Sequence, residues 1–216
     1  MKGILTFTYG VMGAGKSAGL FSLYGDYERK GFRCLVLKPM CDNRDTEKIV
    51  ASRNGNKLPC EFVEDFIFPK NFMRTWSQIE KYDAIFVDEV QFCKKAEIEM
   101  MYKVTREMNI PVYTYGLLTD FQNNFFEGSA ELLTRADEKT EVHGICWCGC
   151  RAKTNARFNK DGEVLKTGNQ IETGGDGEYI SLCMEHYDEG NIGPKMKAKL
   201  QKLKIQEELE EQCHER

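Results

Sequence analysis

The sequence predicts an α/β protein, a parallel sheet flanked by helices, with a smaller module of different character after it. Three observations carry this. Short apolar runs rich in β-branched and aromatic residues alternate with longer stretches of helical spacing through the first two thirds of the chain, the rhythm of βαβ units. A glycine-rich turn stands between the first apolar run and the first helical stretch. Beyond about residue 142 the composition shifts to Cys, Gly and short hairpin-like runs that end near Gly190. The expected division is therefore an α/β nucleotide-binding domain over 1–141, a cysteine-rich module over 142–190 and a charged tail over 191–216.

Taken in order, 4–9 reads as a strand and 17–30 as a helix, followed by strands at 34–37 and 61–63. A helix at 71–81, a strand at 84–87, a helix at 94–108 and a strand at 111–116 complete the alternation. Such a pattern suits a parallel sheet whose two faces are both covered by helices. Residues 40–58 break the rhythm: they are polar, with Asp42, Arg44, Arg53 and Gly55, and read as a long loop of the sort that carries function. After Pro194 the chain is mostly Lys, Glu, Gln and Leu, which predicts a solvent-exposed terminal helix or a frayed end.

Composition narrows the function classes. A chain of 216 residues with 41% hydrophobic content can hold one medium domain and a small appendage. Its 30 Lys+Arg against 34 Asp+Glu leave a charge of -4, which argues against nucleic acid as the main partner. The chain enters a strand-like run without a basic leader, and no apolar segment approaches bilayer length, so a cytoplasmic protein off the membrane is expected. Of nine cysteines, Cys146, Cys148, Cys150 and Cys183 cluster with a histidine, which favours metal over disulfides. Cys34, Cys41, Cys60, Cys93 and Cys213 are scattered and read as small hydrophobes or surface thiols.

Gly10-Val11-Met12-Gly13-Ala14-Gly15-Lys16-Ser17 follows a strand and opens a helix, the context a phosphate-cradling loop needs. Small residues let main-chain N–H groups turn inward, and the helix presents its positive end. Lys16 is expected at the β and γ phosphates of ATP, and the Ser17 hydroxyl on magnesium. The apolar run 84–87 ends in Asp88 and Glu89, the arrangement of a second strand whose tip faces that loop. Asp88 is expected to hold magnesium. Glu89 suits a general base toward an acceptor hydroxyl, though paired acids also occur in ATPases, where the second one activates water. These features predict a P-loop NTPase sheet of the RecA-like kind. Cys146-Trp147-Cys148-Gly149-Cys150 and Cys183-Met184-Glu185-His186 form two knuckles suited to a four-coordinate structural zinc.

Several short motifs in one order resemble the cellular and bacterial thymidine kinases that carry a zinc-binding lasso. They are Met12 within the loop, Asp42-Asn43-Arg44, Asp88-Glu89-Val90-Gln91-Phe92, Gly116-Leu117 with Asp120-Phe121-Gln122, and Gly174-Gly175 with Tyr179 before Cys183. The resemblance spans roughly residues 1–190 and implies transfer of the γ-phosphate of ATP to the 5′-hydroxyl of a deoxynucleoside, thymidine by family. It implies that Glu89 is the catalytic base, that Arg44 neutralises the transferring phosphoryl group, and that Asp42 assists the magnesium. Gln91 joins Asp88 and the loop residues in the ATP-binding set. Met12, Phe92, Leu117, Phe121, Phe126 and Tyr179 would line the base and sugar pocket, with the main chain of Gly174 and Gly175 binding the base edge. The family pattern Cys-Gly-x-x-Ala, set on Cys148, Gly149 and Ala152, favours Cys146, Cys148, Cys183 and His186 as zinc ligands and leaves Cys150 spare. The first knuckle departs from the commoner C-x-x-C. A homotetramer and inhibition by the triphosphate end product are further family expectations.

Residues 166–178, rich in glycine, are expected to close over bound nucleoside. Loss of the metal is expected to destabilise the lasso rather than alter ATP binding. Two rivals keep the phosphate loop and change its use. One is an ATP-driven motor or repair protein acting on nucleic acid, and the other a GTPase, against which the spacing and place of Asn159-Lys160-Asp161 count.

Overall fold

A computed structural model describes residues 3–40, 48–52, 55–170 and 178–214. The chain opens with β1 (Leu5–Tyr9), α1 (Lys16–Arg29) and β2 (Cys34–Lys38). Two short strands, β3 (Ile49–Ala51) and β4 (Lys57–Pro59), pair antiparallel. Then come β5 (Glu61–Phe62), the single turn α2 (Val63–Phe66), α3 (Phe72–Ile79) and β6 (Ala84–Val87). A 3₁₀ turn at Val90–Phe92 leads to α4 (Lys95–Lys103), whose last turn loosens into a π turn at Val104–Met108. β7 (Val112–Gly116), α5 (Glu127–Arg135) and β8 (Glu138–Glu141) complete the first unit.

The sheet has six strands in the order β5-β2-β6-β7-β1-β8, every neighbouring pair parallel. Its strands alternate between two apolar layers, as a period of two requires. Ala84 and Phe86 of β6 meet Leu20 and Tyr27 of α1 on one face, while Ile85 and Val87 join Ile79 of α3, Ile98 of α4 and Leu132 of α5 on the other. Both faces are thus covered, as the near-continuous apolar runs predicted.

The structure differs from the sequence reading in four places. The strand expected at 61–63 ends at Phe62, because Val63 begins α2. The loop expected over 40–58 contains the β3–β4 hairpin, turned at Gly55 with φ 85°. Neither α5 nor β8 was expected. The inward side of α5 includes Gly128 and Ser129, so its apolar stripe is thin, and β8 is the polar edge strand Glu-Lys-Thr-Glu.

The C-terminal module begins with the antiparallel pair β9 (Gly144–Ile145) and β10 (Arg151–Ala152). β11 (Thr154–Phe158) is the centre of a three-stranded sheet, between β12 (Val164–Leu165) and β13 (Glu178–Leu182). The short helix α6 (Met184–Asp188) and the 21-residue α7 (Pro194–His214) close the chain. Among the described residues no helix is long and apolar enough to cross a membrane.

Candidate active site and metal centre

The phosphate loop joins the C-terminal end of β1 to α1, where open parallel sheets bind ligands. Gly13 and Gly15 have φ of 75° and 95°, left-handed values that a side chain resists and that let the loop wrap inward. The Lys16 ammonium folds across the loop, donating to the carbonyl oxygens of Gly10 and Val11 at 3.1 and 3.0 Å. The Ser17 hydroxyl lies 3.4 Å from Asp88 Oδ2, so the loop and the tip of β6 converge although 71 positions separate them.

Asp88 is 5% exposed. Burial, and then the adjacent Glu89 carboxylate, push its pKa up to about 7. A hydroxyl and a buried carboxylate short of positive charge are a donor set that fits magnesium, whose own charge would offset that burial. Ser17 and Asp88 are the described residues that would hold it. Asp42 and Arg44, the other residues expected at this end, lie outside the described residues.

Glu89 adopts φ 50°, a left-handed conformation that costs a non-glycine residue about 1–2 kcal/mol. Its carboxylate is held by Gln91, whose Nε2 donates to Glu89 Oε2 at 2.6 Å. The other end of the Gln91 amide accepts from the N–H of Leu117 at 3.0 Å. Gln91 is 2% exposed, and both ends of its amide are engaged within the protein. Gly116 makes room for this arrangement, since a Cβ there would stand 2.5 Å from Gln91 Oε1. The sequence placed Gln91 with the nucleotide contacts and missed its hold on Glu89, for which no local signal exists.

Among the residues expected to line the nucleoside pocket, Phe92 and Phe126 meet edge to face, with ring centroids 5.7 Å apart. Leu117 is half-buried at the end of β7, its carbonyl oxygen accepting from the Ser129 hydroxyl at 2.6 Å. Phe121 is 1% exposed, beneath the Arg157 guanidinium at 5.5 Å, so it backs the wall rather than facing an opening. Tyr187 of α6 donates its hydroxyl to the Phe121 carbonyl oxygen at 2.7 Å, and the Gln170 amide donates to Asp120 Oδ2 at 3.0 Å. Tyr179, 38% exposed, stands on β13 opposite Arg157. Met12 is half-buried in the phosphate loop. Gly174 and Gly175 lie outside the described residues, as does 171–177 of the expected lid.

The C-terminal module brings Cys146, Cys148, Cys183 and His186 together, their ligand atoms all within 4.8 Å of one another. His186 Nδ1 lies 3.6 Å from Cys146 Sγ and 3.2 Å from Cys183 Sγ. Ligands on a tetrahedral zinc, at bond lengths of about 2.0–2.3 Å, stand roughly 3.5 Å apart, so the set fits. Burial pushes the Cys146 thiol up, but hydrogen bonds from the main chain at Cys148 and Cys183 and from His186 outweigh it and bring it down to about 6. Trp147 lies against His186, the ring centroids 4.2 Å apart and the planes tilted by 37°, and donates its indole N–H to the Asn191 carbonyl oxygen at 3.0 Å. Cys150 is exposed and outside this group; its carbonyl oxygen accepts from Cys146 N at 2.8 Å, closing the β9–β10 turn.

The chain is similar to known proteins over most of its length. The family model described as "Thymidine kinase" matches residues 3–187. The thymidine kinase of Enterobacteria phage T4 is 41% identical over 186 residues, covering 86% of this chain and 95% of that protein. Those of Rhodopirellula baltica and Agrobacterium fabrum are 36% and 37% identical over 185 residues each, covering 86% of this chain and 88% and 96% of theirs.

Proposed function

Because the chain belongs to the thymidine kinase family, we propose that it transfers the γ-phosphate of ATP to the 5′-hydroxyl of thymidine with Glu89 as general base, a step in deoxynucleoside salvage. The observation that carries the assignment of Glu89 is its carboxylate, held by Gln91 one residue beyond the Asp88 that meets Ser17. In this reading the loop 10–17 binds the phosphates through its main-chain N–H groups, and Lys16 leaves its loop carbonyls for the β and γ oxygens. Magnesium held by Ser17 and Asp88, with Asp42, would neutralise phosphate charge. Glu89 accepts the proton of the 5′-hydroxyl as that oxygen bonds to the γ-phosphorus, while the bond from phosphorus to the β–γ bridging oxygen breaks and ADP leaves. Arg44 supplies further positive charge to the phosphoryl group in flight.

The Phe92–Phe126 pair, with Met12, Leu117 and Tyr179 and with Phe121 behind them, would line the apolar slot a nucleobase needs, and the main chain of Gly174 and Gly175 would read its edge. Zinc on Cys146, Cys148, Cys183 and His186 would cross-link the two knuckles of the module. The test is a panel of nucleosides incubated with Mg-ATP and the full chain, with products resolved by chromatography. Thymidine monophosphate should dominate. Hydrolysis of ATP that no nucleoside captures but that a nucleic acid stimulates would overturn the reading.

A further inference from the structure

The phosphate loop is seated on the C-terminal module. The N–H of Met12 donates to Asn155 Oδ1 at 2.6 Å, and the Ser181 hydroxyl donates to the Met12 carbonyl oxygen at 2.7 Å. Both main-chain polar groups of one loop residue are thus satisfied by side chains 143 and 169 positions away. Asn155 and Ser181 are direct cross-strand partners on β11 and β13, so a single rung of that sheet reaches the loop. Asn155 is 4% exposed, so its amide depends on partners within the protein.

Packing extends the seat. Val11 is buried with Cys146, Ala152, Ala156, Leu182 and Cys183. Gly144 permits this approach, because a Cβ there would stand 2.2 Å from Val11 Cγ2, and a Cβ on Gly10 would stand 2.3 Å from the Val142 carbonyl oxygen. A loop with glycines at 10, 13 and 15 carries few side chains that could fix its own path. The Met12 N–H is engaged by Asn155, and the Ala14 N–H donates to the Val11 carbonyl oxygen at 3.2 Å, so the turn of the loop is fixed from both sides.

We propose that Asn155 and Ser181 are positioning residues for ATP: through the main chain of Met12 they hold the phosphate loop in its phosphate-accepting shape, so the C-terminal module contributes to ATP affinity as well as to the nucleoside side. This rests on the reading of 10–17 as the ATP site. The affinity of Mg-ATP for the full chain, measured by calorimetry beside metal content and thermal midpoint, tests it. Ser181→Ala and Asn155→Leu should each weaken Mg-ATP binding by about tenfold, the scale of one lost hydrogen bond to a buried main-chain group, with metal content retained. Ser181→Thr keeps the hydroxyl and should bind within about threefold of the unsubstituted chain.

A merely structural role would lower the midpoint without changing the affinity of the folded protein. The inference is overturned if both loss variants bind Mg-ATP as the unsubstituted chain does, or if Ser181→Thr binds as weakly as Ser181→Ala. Failure of the unsubstituted chain to bind Mg-ATP would instead overturn the ATP-site reading, and the inference with it.

Discussion

Replacing Gln91 with leucine tests whether Glu89 works from a held position. Leucine keeps most of the buried volume and removes both ends of the amide: the donor to Glu89 Oε2 at 2.6 Å and the acceptor for Leu117 N at 3.0 Å. A hydrogen bond to a charged group contributes about 1.5–3 kcal/mol. Where the position it fixes counts only in the transition state, that is about 10- to 150-fold in turnover. The Leu117 N–H left without its acceptor costs about 1–3 kcal/mol of stability, so the thermal midpoint falls as well and must be followed separately. Single-turnover phosphorylation of thymidine at saturating substrates, well below the new midpoint, isolates the chemical step. Turnover should drop at least about tenfold while Mg-ATP affinity stays within about threefold. Turnover close to that of the unsubstituted chain in a folded variant would refute the reasoning, leaving the left-handed backbone of Glu89 to position the carboxylate by itself.

Three further outcomes are expected. Glu89→Gln should lose about a hundredfold or more in turnover with Mg-ATP binding retained, since general bases contribute on that scale; single-turnover assays with an ATP titration check it. Elemental analysis should find one zinc for the single Cys146, Cys148, Cys183 and His186 group among the described residues, and chelation should lower the thermal midpoint. Tyr187→Phe, which removes the buried hydroxyl bonded to the Phe121 carbonyl oxygen, should cost about 1 kcal/mol of stability and raise the KM for thymidine more than that for ATP, read by denaturant unfolding and steady-state kinetics.

What was legible in the sequence were features whose chemistry needs particular residues close together. The loop 10–17 requires its glycines, lysine and serine at fixed spacing, and Asp88-Glu89 stands out because two acids end an apolar run. The four Cys and His residues that converge are those favoured by setting the family's Cys-Gly-x-x-Ala on Cys148, Gly149 and Ala152. Parallel strands at the centre of the sheet were legible for the same kind of reason, since burial on both faces leaves a continuous apolar run. The edge strand β8 was not, because it pairs only with β1 and its residues are largely exposed. It is placed by its ladder with β1 and, just before it, by Asp137, whose carboxylate accepts from Leu5 N at 2.9 Å across 132 positions.

Long-range contacts of that kind also bear on one expectation about the metal. From the sequence, the cysteine knuckles and the phosphate loop are separate motifs, and losing the metal is expected to leave ATP binding alone. In the folded chain Val11 packs against Cys146 and Cys183, two residues of the converged group, while Ser181, two positions before Cys183, holds the Met12 carbonyl oxygen. A zinc held there would brace the segment after β13 and the β9–β10 turn, so its removal should loosen both contacts. Cys183→Ser should therefore release zinc and weaken Mg-ATP binding together, and the affinity should recover in proportion to zinc restored to a chelated but otherwise unsubstituted chain. If Cys183→Ser lost its zinc and still bound Mg-ATP at full strength, the seat on Asn155 and Ser181 would have to be stable without the knuckle beneath it.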